Sequence, residues 1–180
     1  MKFFSVDSPL YKFISTFWVV VKLNFFWLLF SLPIVTIGAS TTAAFAVGLK
    51  MADGSEGYIF QAFWAAFKEN WKKGIPLGLL TLLIAYAVYL DFELFEKLEG
   101  NPFICLVMGI LAIAIGISGF MYSYALLARY ENSFINTMKN SFEIYTRYFG
   151  RSIVMTAIVA LEVVVMFWNT TTMYFMILIG

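Results

Sequence analysis

A chain of 180 residues that is 62% hydrophobic, 19% aromatic and only 13% charged departs from a soluble globule, where about a quarter of residues are charged. A soluble domain of this length has too little interior to bury so much apolar surface, which leaves a lipid-facing protein. The net charge of +1 is uninformative until it is sorted along the chain; the lack of any His removes the usual general base and metal ligand, and the single Cys105 cannot close an internal disulfide.

The first element opens at Asp7-Ser8-Pro9, where Ser8 suits a helix cap and Pro9 the first helical position. An apolar span follows from Leu10 to Leu32 and stops at Pro33. It exceeds the roughly 7–15 residues of a signal-peptide core and contains Lys22, so it reads as a retained helix. A second span runs from Ile34 to Met51.

The stretch from Tyr58 to Lys73 carries Phe60, Phe63, Trp64, Phe67 and Trp71 on one helical stripe, with Gln61, Lys68, Glu69, Lys72 and Lys73 on other faces. It predicts an amphipathic helix lying in the membrane interface, or one whose stripe packs on the spanning bundle. Further spans run from Ile75 to Phe92 and from Pro102 to Ala128. The stripe pattern returns from Ser133 to Phe149 in Phe134, Met138, Phe142 and Tyr145. A fifth span from Ser152 to Trp168 is followed by a short apolar run that stops at Gly180, which reads as a partial sixth helix of a truncated chain.

The expectation is therefore an all-α, polytopic transmembrane bundle forming one domain over residues 1–180, with five full spans and two cytoplasmic-side amphipathic helices. Phe67 matches Phe142 after 75 residues and Gly74 matches Gly150 after 76. Units 9–74 and 75–150 would then be parallel copies, with a third begun by the fifth span. Chance similarity among apolar segments is the alternative.

Sorting the charges gives the orientation. The side holding the N-terminus and both amphipathic segments carries ten basic and six acidic residues, whereas a loop with Asp91, Glu93, Glu96, Lys97 and Glu99 lies on the other. The basic side should be cytoplasmic, which predicts a multi-pass cell-membrane protein with its N-terminus inside.

Leu23-Asn24-Phe25-Phe26-Trp27-Leu28-Leu29, then Ser31 to Ala39 through Leu32-Pro33-Ile34-Val35-Thr36-Ile37-Gly38, then Phe63 to Asn70, resemble the YesL-like family of small bacterial integral membrane proteins. The resemblance implies no established activity, catalytic residue or ligand. It implies a setting beside carbohydrate-uptake genes and a chain that continues past Gly180.

Read physically, Pro33 should end the first helix, while Gly38 permits close backbone approach and Thr36 can satisfy freed carbonyls. The motif is either a tight outer hairpin or a broken helix lining a polar cavity. Two ionisable residues sit well inside spans. Lys22 is ten residues from Lys12 and Glu162 eleven from Arg151, or about 15 and 16.5 Å at helical rise. Each alone would cost about 2.5–3.5 kcal/mol, which equal depth relieves by pairing; the alternative is that Lys22 snorkels outward and Glu162 is protonated or faces a partner chain.

No catalytic, cofactor-binding or metal-ligating set emerges. The favoured reading is a non-catalytic accessory or regulatory membrane protein linked to carbohydrate uptake. Its partners are the bilayer and another membrane protein such as a carbohydrate transporter, with no nucleic acid. The alternative is a small transporter or channel using Lys22 and Glu162.

Overall fold

A computed structural model describes residues 8–54, 57–97 and 103–168. Among these the chain is all helical, with six α-helices and no strand. Helix α1 (Pro9–Ser31) begins where Ser8 accepts a hydrogen bond from the Tyr11 N–H at 3.2 Å, with Pro9 in its first turn. Leu32 keeps helical dihedrals, Pro33 itself turns extended, and a short 3-10 turn, Ile34–Thr36, leads into α2 (Ile37–Ala52). The Thr36 hydroxyl donates to the Phe30 carbonyl at 2.7 Å, satisfying one acceptor that the helix end leaves free.

Helix α3 (Ile59–Lys97) corrects the expected division. The interfacial segment Tyr58–Lys73 and the span from Ile75 are not separate helices; α3 runs through both, with Pro76 inside it. Proline removes one N–H donor and normally kinks or breaks a helix. Here the backbone on either side of Pro76 is held against α2. A methyl group at Gly38 would collide with the Gly74 carbonyl oxygen and lie 2.6 Å from the Gly78 Cα. One at Gly74 would lie 2.7 Å from the Ala39 Cα. Such approach is open only to residues without a side chain. Asp91 and Glu93, expected in a loop, also belong to α3. Its last turns are supported by Lys97, which donates to Glu93 at 2.7 Å in the helix-stabilising i, i+4 arrangement.

Helices α4 (Phe103–Arg129), α5 (Phe134–Arg147) and α6 (Phe149–Trp168) complete the set. Helix α5 is capped by Ser133, which accepts from the Asn136 N–H at 3.4 Å. It runs back along α4: the Ser123 hydroxyl meets the Met138 sulfur at 3.6 Å, and the Ser141 hydroxyl donates to the Gly119 carbonyl at 2.5 Å. Its fully buried residues are the small polar Thr137 and Ser141, and Phe134 and Met138 of the stripe pack beside them. Only Tyr148 separates α5 from α6, and the Ser152 N–H donates to the Tyr148 carbonyl across that joint at 3.0 Å.

Three described stretches are long and apolar enough to cross a membrane: Leu10–Ser31, Ile34–Ala52 and Ile59–Asp91. The expected fourth and fifth spans fall on helices α4 and α6, whereas the short run from Asn169 to Gly180 lies outside the described residues.

Two cores hold the helices. In one, Leu23 of α1, Ala43, Ala46 and Val47 of α2, and Phe63 and Ala66 of α3 are buried together. The other joins Leu77 of α3 to Phe120, Tyr124 and Leu127 of α4, with Phe45, Phe134 and Met138 packed against them.

Candidate functional site

The second core is the floor of a cavity bounded by α3, α4 and α5. Helices α3 and α4 pack antiparallel, tied by a 2.9 Å hydrogen bond between the Thr81 and Tyr124 hydroxyls. The Tyr124 ring also stacks on Phe45 of α2, with centroids 6.1 Å apart. Farther along, a methyl placed at Gly116 would touch Ile84 at 3.6 Å, and one at Gly109 would lie only 2.8 Å from an Asp91 carboxylate oxygen. Helix α5 closes in from the side through Ser141. The three helices do not fill the space between them.

A cavity of about 550 Å³ remains, walled by Ile84 and Ala87 of α3, Phe120 of α4, and Phe142 and Tyr145 of α5. Asp91 is the one charged residue among its lining. This carboxylate makes no hydrogen bond or ion pair among the described residues, whereas Glu93, two positions on, is engaged by Lys97. The cavity is therefore apolar with a single anionic group. Its volume lies within the roughly 300–1,000 Å³ of ordinary small-molecule sites.

The residues singled out from sequence are distributed otherwise. Lys22 and Glu162 are both exposed, and no ion pair joins them; the ion pairs of the described residues are Lys97–Glu93 and Arg129–Asp53. Equal depth is insufficient because α1 packs chiefly on α2 and α3, whereas α6 packs on α4 and α5. Around Pro33 the polar groups are used locally. The Trp27 indole donates to Thr41 at 3.1 Å, Ser31 and Ser40 share a hydrogen bond, and Thr42 donates back to the Gly38 carbonyl at 2.8 Å. That geometry is a hydrogen-bonded hairpin, and none of these residues lines the cavity beside Asp91.

The aromatic stripe of α3 packs on α1. Phe30 lies between Phe63, Trp64 and Phe67 at centroid distances of 5.5, 5.3 and 5.2 Å, and Phe26 meets Phe60 at 5.2 Å. Phe63 is completely buried, while Phe60, Trp64 and Trp71 keep open faces. The second stripe divides: Phe134 joins the second core, and Phe142 faces the cavity.

Sequence reasoning missed Gly78, Gly109 and the position of Asp91. The spacing Gly74-x-x-x-Gly78 is itself a helix-contact signal, and the Glu93–Lys97 spacing could have carried the helix past Asp91. Nothing local marks Gly109 as the neighbour of a carboxylate eighteen residues away.

What the fold and cavity define is an apolar helical bundle in which three of the described helices are long and apolar enough to cross a membrane. The proteins it resembles carry no established activity. Residues 20–92 match the family described as "Protein of unknown function, DUF624". Over 99 residues the chain is 29% identical to "Uncharacterized protein YesL" of Bacillus subtilis (strain 168), covering 53% of this chain and 47% of that protein. The match thus spans about half the length of the relative. Together the two matches support a YesL-like family of unknown function. The matched segment holds the Leu32–Gly38 and Phe63–Asn70 runs and reaches Asp91, but stops before α4 and α5. No solved structure is significantly similar.

Proposed function

We propose that this protein is a non-catalytic, multi-pass membrane component that accompanies or regulates a larger assembly, in the setting of carbohydrate uptake that the family resemblance implies. In this reading α4 and α6 cross the membrane with the first three apolar stretches, and the N-terminus is cytoplasmic. The supporting observation is the state of α1. Leu10, Tyr11, Phe13, Ile14, Phe17 and Trp18 are all exposed, and only the later part of the helix joins a core. A helix that contributes so little to its own bundle has its apolar face available to lipid and to a second membrane protein.

The same reading treats residues 9–74 and 75–150 as copies of one unit. Val47 and Phe63 share a core, and the residues 76 and 75 positions on, Ser123 and Met138, are in contact.

Photo-crosslinkers at Phe13 and Phe17, followed by purification from native membranes, test the accessory role. A stoichiometric adduct with a transport protein is expected; adducts with lipid alone would remove the proposal. Orientation is checked separately with an introduced Cys at Glu96, which should label from outside, and one at Asn132, which should label from inside. The cavity favours a second reading, a small transporter, which flux into vesicles containing only this protein would support.

A further inference from the structure

The Asp91 cavity combines features that together specify a ligand class. Its walls are aliphatic and aromatic, so a bound molecule must bring an apolar body that gains by leaving water. Its one charged lining residue is a carboxylate. One carboxylate oxygen lies in the notch at Gly109, where a methyl group would come within 2.8 Å of it. No hydrogen bond or ion pair among the described residues compensates that charge. Three rings, Phe120, Phe142 and Tyr145, line the same space, and aromatic faces attract cations within about 6 Å.

A neutral apolar ligand would leave the half-buried carboxylate without a counter-charge, and an anion would be repelled by it. A cation with an apolar body satisfies both the walls and the charge.

We propose that the cavity between α3, α4 and α5 binds an amphipathic organic cation, with Asp91 as its counter-charge and the aromatic rings packing on its body. This site is independent of the exposed face of α1 on which the accessory role rests. The cation could be a free molecule or the ammonium headgroup of an aminolipid. The chemistry recognised is the same.

The test uses the full chain in dodecyl maltoside, an uncharged detergent, with tetraphenylphosphonium as the cationic probe and triphenylphosphine oxide as a neutral molecule of similar body. Equilibrium titration should show saturable binding of one phosphonium per chain and at least about tenfold weaker binding of the oxide. Asp91→Asn should weaken phosphonium binding by roughly tenfold or more. Gly109→Ala keeps the carboxylate but pushes it from its notch, and should give a smaller loss. Ala87→Phe fills the cavity while leaving the charge, and should abolish binding; it carries the test if Asp91→Asn fails to give a monodisperse protein.

Equal affinity for cation and oxide, non-saturable uptake, or unchanged binding in Asp91→Asn or Ala87→Phe would each overturn the proposal. Adding phosphatidylethanolamine to the micelles separates the sources. Competition with the phosphonium identifies an aminolipid, and no competition identifies a free cation. Neither result bears on whether crosslinkers on α1 capture a partner.

Discussion

The seam between α2 and α3 and the seam between α4 and α5 join helices in similar succession, yet they are closed by different means. The first is shut by backbone on backbone at Gly38, Gly74 and Gly78, then by the fully buried Phe63 and the rings around it. The second is shut by hydroxyl groups. Ser141 reaches the Gly119 carbonyl and Ser123 reaches Met138, while Gly119 itself has nothing within contact distance of an added methyl. Backbone contact leaves no space, whereas hydrogen bonds from short side chains fix two helices at one level and leave room above it. The cavity lies beside the second seam for that reason.

The comparison breaks most visibly at the glycines. Gly38→Leu should be the most damaging single change, because the side chain meets backbone that cannot move aside. We expect a loss of more than about 3 kcal/mol, seen as failure to recover monodisperse protein. Gly119→Ala, into open space, should leave the midpoint of thermal unfolding in detergent nearly unchanged. Equal damage at both positions would erase the distinction drawn between the seams.

Aromatic truncation comes next. Phe63→Ala should cost about 3–5 kcal/mol, as a fully buried ring is replaced by a void. Phe142→Ala, on a ring that is 62% exposed, should cost far less in the same unfolding assay.

Ser141→Ala removes the hydroxyl that anchors α5 to Gly119 and should lower stability by about 1 kcal/mol. Faster amide exchange confined to α5 and the start of α6 would sharpen the comparison. Uniform exchange across α3 would count against it. Smallest of all is Asp53→Ala, which breaks the ion pair with Arg129 at 3.6 Å. Both side chains are more than half exposed, so the change should be within about 1 kcal/mol and should shrink further in high salt.

Much of this fold was legible because its signals are local. Ser8-Pro9 and Pro33 set the ends of α1, and the 3.6-residue spacing of Phe60, Phe63, Trp64 and Phe67 marked the face that packs on Phe30. The boundary at Gly74-Ile75-Pro76 was misread because glycine and proline usually end helices. Here α2 supplies from outside the contact that keeps α3 whole, and no local rule sees it. No Lys22–Glu162 ion pair is formed among the described residues for a related reason: counting residues gives depth along a helix, but which helices are neighbours is decided by packing. Lys22→Met and Glu162→Gln should accordingly act additively in a double-mutant cycle. Asp91 was visible as an acidic residue, but its place against Gly109 follows from the pairing of α3 with α4.

Helix α3 is 39 residues long, or about 58 Å at helical rise, nearly twice the roughly 30 Å hydrocarbon thickness of a bilayer. A helix of that length crossing a bilayer extends past the hydrocarbon at any tilt in the usual range of up to about 40°. The rod is unbroken from Lys68, Lys72 and Lys73 near one end to Ala87 and Asp91 near the other. A torque applied to the lysine end has no loop in which to dissipate. It is either absorbed as bending at Pro76, where one rung of the helical ladder is missing, or delivered as a displacement of the wall that carries Asp91. Pro76 is thus the point along α3 where compliance concentrates, and Pro76→Ala, which restores the missing donor, should stiffen the coupling between the two ends of the helix.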